Sequence, residues 1–192
     1  MRSYAHATDN NLVRAFQEGD TRALEALIQR HKDRVFTFIL VLVKDQLLAE
    51  DIFQEVFCKI IVRLRNKQYA DEGKFLPWVT SIAHNYCVDY FRKIQLEIPV
   101  PHNAKEFFEN IGDKGDVADM QLIREQSHDK VRMMLNFLPA EQKEVIVLRH
   151  FGELSFKEIA SLTNTTLNTC LGRMRYALIN MRRLIAEHEI VL

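Results

Sequence analysis

The sequence predicts an all-α protein made of two small helical domains joined by a flexible acidic linker. Three observations carry that expectation. Apolar residues recur at helical spacing over most of the chain, with no convincing run of strand alternation. Only four prolines and six glycines interrupt its 192 residues. From Leu96 to about Asp119 the periodicity lapses, and Pro99, Pro101, Gly112 and Gly115 stand among acidic residues, a linker composition. The expected domains are therefore residues 1–95 and 128–192, with 96–127 between them.

In the first domain, Leu12 to about Leu64 reads as two or three helices. Val35, Phe38, Ile39 and Leu42 form one apolar stripe, and Phe53, Val56, Phe57, Ile60 and Leu64 form another. A further helix spans roughly Leu76 to Lys93, with Pro77 tolerated in its first turn, where no backbone N–H is needed. Phe75, Trp78 and Ile82 read as its core stripe. Interleaved aromatic, polar and basic residues, among them Tyr86, Tyr90, Arg92, Lys93 and Asn85, could instead stack unpaired bases and hold phosphates. On the preceding helix Asp51, Gln54 and Glu55 share a face away from the apolar stripe. Such a patch can receive arginines through charge-assisted hydrogen bonds. An ordinary solvated face with a Glu55–Lys59 pair explains it as well and more simply. In the linker, Ala104–Asn110 is compatible with a short helix.

The second domain has the sharper local pattern. Pro139 opens a helix carrying Val145, Ile146, Leu148 and Phe151, and Gly152 ends it. Ser155 stands three residues before Glu158, a capping box that starts a short helix through Leu162. After a turn at Thr163–Thr165, Thr166 caps a longer helix to about Ile185. Ala160 suits a tight helix contact, and Asn164 suits a left-handed turn position. This is helix-turn-helix spacing. Leu167, Cys170, Met174, Ala177, Leu178 and Met181 are expected to face inward. That leaves Asn168, Thr169, Gly172, Arg173 and Tyr176 outward, with Leu171 and Arg175 on the flanks. A recognition helix presents such N-terminal residues to major-groove base edges.

Other function classes find little support. Formal net charge is zero, but its distribution is uneven: 14 basic and 12 acidic residues in 1–95, 3 and 8 in 96–129, and 9 and 6 in 130–192. The three cysteines lack metal-ligand spacing and suit a reducing compartment, so a cytoplasmic protein is expected. The longest apolar run, Val35 to Val43, is broken by Thr37 and is too short to cross a bilayer, and no signal-peptide pattern precedes it. No His-x-x-x-His, phosphate loop or nucleophilic triad appears, and His84 and His150 read as packed or solvated residues. No catalysis, cofactor, metal or small-molecule substrate is expected.

Three ordered segments carry a family resemblance. Ala49-Glu50-Asp51-Ile52-Phe53-Gln54-Glu55-Val56-Phe57 resembles the region 2 helix of extracytoplasmic-function (ECF) sigma factors of bacterial RNA polymerase. Phe75-x-x-Trp78-x-x-x-Ile82-Ala83-x-Asn85-x-x-x-Asp89-x-x-Arg92 resembles the adjoining promoter-reading segment. Leu138-Pro139-x-x-x-Lys143-x-Val145, followed by Leu154-Ser155-Phe156-x-Glu158-Ile159-Ala160, resembles region 4. The short acidic linker in place of a large middle domain is similar to that group as well.

The resemblance implies an alternative sigma factor that binds core RNA polymerase and directs it to promoter DNA. It implies docking of Asp51, Gln54 and Glu55 on the polymerase's largest subunit, reversing the preference drawn from spacing alone. It assigns −10 element contacts to Lys67, Tyr69, Lys74, Asn85, Asp89, Arg92 and Lys93. It assigns −35 contacts to Thr166, Asn168, Thr169, Leu171, Gly172, Arg173, Arg175 and Tyr176. It also implies an anti-sigma partner. Departures from the family pattern are two acids in the loop Gln68-Tyr69-Ala70-Asp71-Glu72-Gly73, Leu171 and Gly172 where relatives place basic or hydroxyl residues, and Tyr176 for a common Arg. Two readings compete: a one-component regulator acting without polymerase, and a helical adaptor that binds no nucleic acid.

Overall fold

The structure, a computed structural model, describes residues 4, 6–69, 73–97 and 134–187. The expected linker beyond Glu97, with its short helix at 104–110, lies outside these residues, as do Ala70, Asp71 and Glu72. Among the described residues every regular element is helical. The chain divides into two compact units, one within Met1–Pro99 and one formed by the C-terminal residues.

The N-terminal unit holds α1 (Asp9–Gln17), α2 (Thr21–Val43), α3 (Gln46–Arg65) and α4 (Phe75–Glu97). Side-chain caps set the first three starts. Thr8 accepts from the Asn11 N–H, Asp20 from Arg22 and Asp45 from Leu48. Lys44 ends α2 in a left-handed conformation (φ 57°), returning its N–H to the Leu40 carbonyl and turning the chain directly into α3. The 23-residue α2 is the central helix, packing against α1, α3 and α4. Leu27, Val35, Phe38 and Ile39 from α2 are fully buried with Val56, Ile60 and Leu64 of α3 and Val79 of α4.

The expected stripes hold with small rotations. On α3 the buried face also takes in Ala49 and Ile52, while Phe53 is half-buried, 5.9 Å from the Phe36 ring and 4.5 Å from Phe57. Leu42 and Trp78 are likewise half-buried.

The C-terminal unit holds α5 (Ala140–His150), α6 (Phe156–Leu162) and α7 (Leu167–Glu187). The capping box is formed: Ser155 accepts from the Glu158 N–H, and the Glu158 carboxylate accepts from the Ser155 N–H at 2.7 Å. Asn164 takes the left-handed turn at φ 51°. Hydroxyl groups lace the turn, Thr163 donating to the Ile159 carbonyl at 2.8 Å and Thr165 meeting the Cys170 sulfur at 3.1 Å. Between α5 and α7 the Asn180 amide donates to Gln142 at 2.8 Å.

One expectation for α7 fails. Leu167 and Leu178 were expected inside but are 39% and 44% exposed. The helix buries a narrow seam of Cys170, Ala177 and Leu184, flanked by half-buried Met174 and Met181. These recur at alternating steps of three and four, so Leu178, about 100° round from Ala177, falls outside the seam. Leu167 lies at the helix end, before the seam begins.

The capping box yields a test. Ser155→Ala removes the hydroxyl that holds the Glu158 N–H and should destabilise the C-terminal unit by about 1 kcal/mol. Urea denaturation followed by circular dichroism measures it, and an unchanged midpoint would contradict the cap's contribution.

Candidate functional site

The packing of α3 leaves one of its sides free. Asp51, Gln54 and Glu55 are all exposed on that side, one turn apart. The same face carries residues that the sequence reading missed: Leu47, 75% exposed, four residues before Asp51, and Val62, 56% exposed, seven after Glu55. Their spacing was a usable signal. Leu47 and Val62 thus flank the acidic patch as single exposed apolar residues at the two ends of this side of α3. Lys59 lies with its ammonium 4.2 Å from the centroid of the Tyr86 ring on α4. The Tyr86 hydroxyl titrates above its ordinary value, first because it is desolvated and second because of the nearby Glu55 charge.

On α4, Asn85, Asp89, Arg92 and Lys93 are exposed at spacings that keep them on one side. Arg92 Nη2 meets Asp89 Oδ1 at 3.0 Å. With both side chains well exposed this pair contributes at most about 1 kcal/mol, so the guanidinium can exchange it for a phosphate. The core side of α4 buries Thr80, His84 and Cys87. His84 is thus a packed residue as expected, His150 is exposed, and burial pushes the Cys87 thiol up to about 12.

The α3–α4 loop joins these two surfaces. Lys67 and Lys74 are exposed, Lys67 and Gly73 having φ of 56° and 71°. Tyr69 departs from the expectation of a DNA contact. It is 7% exposed, its ring centroid 5.8 Å from Phe75 and 5.0 Å from Trp78. Offset aromatic packing of this kind holds the ring in the protein, where it offers no face to a base.

On α7, Thr166 accepts from the Thr169 N–H at 3.1 Å, capping the helix as expected. Its hydroxyl also meets the Thr169 hydroxyl at 2.8 Å. Asn168, Thr169, Leu171, Arg175 and Tyr176 are exposed, but Gly172 and Arg173 are half-buried rather than fully outward. At Gly172 a Cβ would meet nothing within 4 Å, so packing does not require glycine there. Among the described residues no cluster of three or more His, Cys, Asp or Glu could hold a metal, and no helix is long and apolar enough to cross a membrane.

Comparison with known proteins supplies the family context. The family model Sigma-70 region 2 matches residues 27–96, and Sigma-70, region 4 matches residues 128–178. The chain is 30% identical over 169 residues to a Haemophilus influenzae protein named "Probable RNA polymerase sigma factor", covering 80% of this chain and 86% of that one. It is 25% identical over 142 residues to the ECF RNA polymerase sigma factor SigM of Bacillus subtilis, covering 73% and 82% of the two chains. Its fold is similar to that of the sigma factor RpoE of Bartonella quintana, solved with the anti-sigma factor NepR. That match has a TM-score of 0.61 and 17% identity over 85% of this chain and 96% of the other.

Proposed function

Because the chain belongs to the sigma-70 family, within its ECF group, we propose a division of labour among the residues just described. The chain is an alternative sigma factor, a protein that binds core RNA polymerase and directs it to promoters, and members of this family are in general not enzymes. Residues 1–95 dock on polymerase and open the −10 element, residues 128–192 read the −35 element, and 96–127 link them along the polymerase surface. The observation that carries this reading is the acidic α3 face, in which Asp51, Gln54 and Glu55 stand together in solvent. On the competing reading, a one-component regulator, this face would be ordinary solvated surface.

On this reading α3 receives basic side chains of the polymerase's largest subunit. The loop and α4 then take a base flipped out of the −10 element. Flipping costs a few kcal/mol, repaid by hydrogen bonds in a pocket. The Asn85 amide offers both donor and acceptor to a base edge. Lys67, Lys74, Arg92 and Lys93 hold phosphates, and Tyr69 supports the loop from beneath. On α7, Asn168, Thr169, Leu171, Arg173, Arg175 and Tyr176 face the major groove, where bare Gly172 lets the backbone approach closely, and Thr166 caps the helix. The protein works in the cytoplasm, where an anti-sigma partner holds it until it is needed, as NepR is bound to RpoE in the Bartonella quintana complex.

Replacing Asp51 and Glu55 with Lys tests the docking face. Like charges set against one another across an interface cost several kcal/mol, enough to abolish binding at ordinary concentrations. Both positions are exposed, so folding should survive. Unchanged core-polymerase affinity in a pull-down of the folded double variant would remove the assignment.

Base reading and phosphate holding separate on α4. Asn85→Ala should cost roughly 1–3 kcal/mol on the preferred −10 base and flatten discrimination at that position. Arg92→Ala should weaken all promoters alike and lower the salt dependence by about one phosphate contact. Fluorescence-monitored promoter opening, on templates varied along the −10 element, measures both. Equal loss on every template for Asn85→Ala would make Asn85 structural.

A further inference from the structure

We propose that His31, held by Asp9, is a positioning residue for Phe75 and Tyr69, which flank the base-reading part of the α3–α4 loop, and that α1 serves these two rings as a brace. The proposal rests on the reading of the α3–α4 loop given above and extends it to residues that no motif marked.

His31 is buried on α2, 9% exposed. Its Nε2 lies 2.8 Å from one carboxylate oxygen of Asp9 on α1, while the other oxygen accepts from Arg30 Nη1 at 2.6 Å. The His31 ring lies 5.3 Å from the Phe75 ring at 47°. The contacts continue from there, the Phe75 ring lying 5.8 Å from Tyr69 and 6.0 Å from Trp78. Tyr69 lies within the loop that follows α3, and Phe75 opens α4 at the loop's far side. A continuous path therefore runs from a carboxylate on α1 through His31 to Phe75 and Tyr69.

Further contacts tie α1 to the same place. Gln17 donates to the Leu64 carbonyl at 3.2 Å, in the last turn of α3, and the Arg65 guanidinium lies 6.0 Å over the Phe16 ring. A Cβ built on Gly73 would lie 3.9 Å from the Asn10 amide nitrogen. All these α1 residues precede residue 27, where the region 2 match begins.

Space-filling alone does not call for a histidine here. A leucine could bury against Phe75, whereas an imidazole bonded to a carboxylate also has its ring plane fixed. A recognition site must hold its parts to within about 0.5 Å, which demands supporting side chains locked by packing and hydrogen bonds. His31 meets both requirements, through Phe75 on one side and Asp9 on the other.

The experiment measures promoter opening by full-length variants with core polymerase, on templates varied at each −10 position. His31→Gln keeps an N–H for Asp9 but removes the ring from Phe75. Asp9→Ala removes the acceptor, and Asp9→Asn restores one. His31→Gln and Asp9→Ala should each reduce discrimination at the loop-read base by about fivefold or more, while Asp9→Asn stays within about twofold of the parent. Core-polymerase affinity should be retained throughout. Parental discrimination in both His31→Gln and Asp9→Ala, even with opening lowered alike on all templates, would reduce the cluster to a fold contact and overturn the proposal. If His31→Gln fails to fold, the Asp9→Ala and Asp9→Asn pair decides. A parent protein with no −10 preference overturns the loop reading itself, and this inference with it. A preference lost in Asn85→Ala but intact in every folded variant of the His31→Gln and Asp9→Ala pair overturns this inference alone.

Discussion

The packing of α3 and α4 onto α2 fixes the rotation of both helices, and what the N-terminal unit offers a partner follows from that rotation. Ala49, Ile52, Val56, Ile60 and Leu64 turn inward from α3, so Asp51, Gln54 and Glu55 must turn outward. Phe75, Val79, Ile82 and Ala83 do the same for α4, leaving Asn85, Asp89 and Arg92 in solvent. Burying a large aliphatic or aromatic side chain is worth about 1.5–3 kcal/mol, whereas an exposed polar contact is worth a few tenths. The core therefore sets the phase, and the exposed polar faces inherit it.

The C-terminal unit obeys the same constraint. The capping box at Ser155 and the left-handed Asn164 fix where α6 starts and where the chain turns. The hydroxyl contacts of Thr163, Thr165 and Thr166 then set the start of α7. A seam of small and flexible residues, Cys170, Met174, Ala177 and Met181, lets α7 lie close to its neighbours. It also leaves Leu171, Leu178 and Ile179 exposed along a helix rich in arginine. Such a surface joins cationic reach to apolar contact, which suits bases with methyl groups as well as phosphates.

Much of this was legible in the sequence because it is local. Ser155 and Glu158 at capping-box spacing, Pro77 in a first turn, Pro139 before α5 and Asn164 at the turn each act within a few residues, and each was read correctly. The inward stripes were read to within one helical step. What escaped is long-range. The Asp9–His31 bond spans two helices, the burial of Tyr69 depends on Phe75 and Trp78 closing over it, and no periodicity encodes either. The inward assignment of Leu167 and Leu178 failed because hydrophobicity reports that a side chain can be buried, not that a neighbouring helix is there to cover it. The roles proposed for Asp51, Gln54 and Glu55 came from family resemblance, since their spacing alone favours a solvated face.

The central claim is that this chain acts through polymerase, choosing promoters that polymerase alone does not. Transcription of genomic DNA from its host by core polymerase, with and without the protein, followed by sequencing of the 5′ ends, measures that directly. The account predicts a set of start sites that require both components and share two dissimilar upstream elements. No new start sites, together with protection of a palindrome by the protein alone, would contradict it.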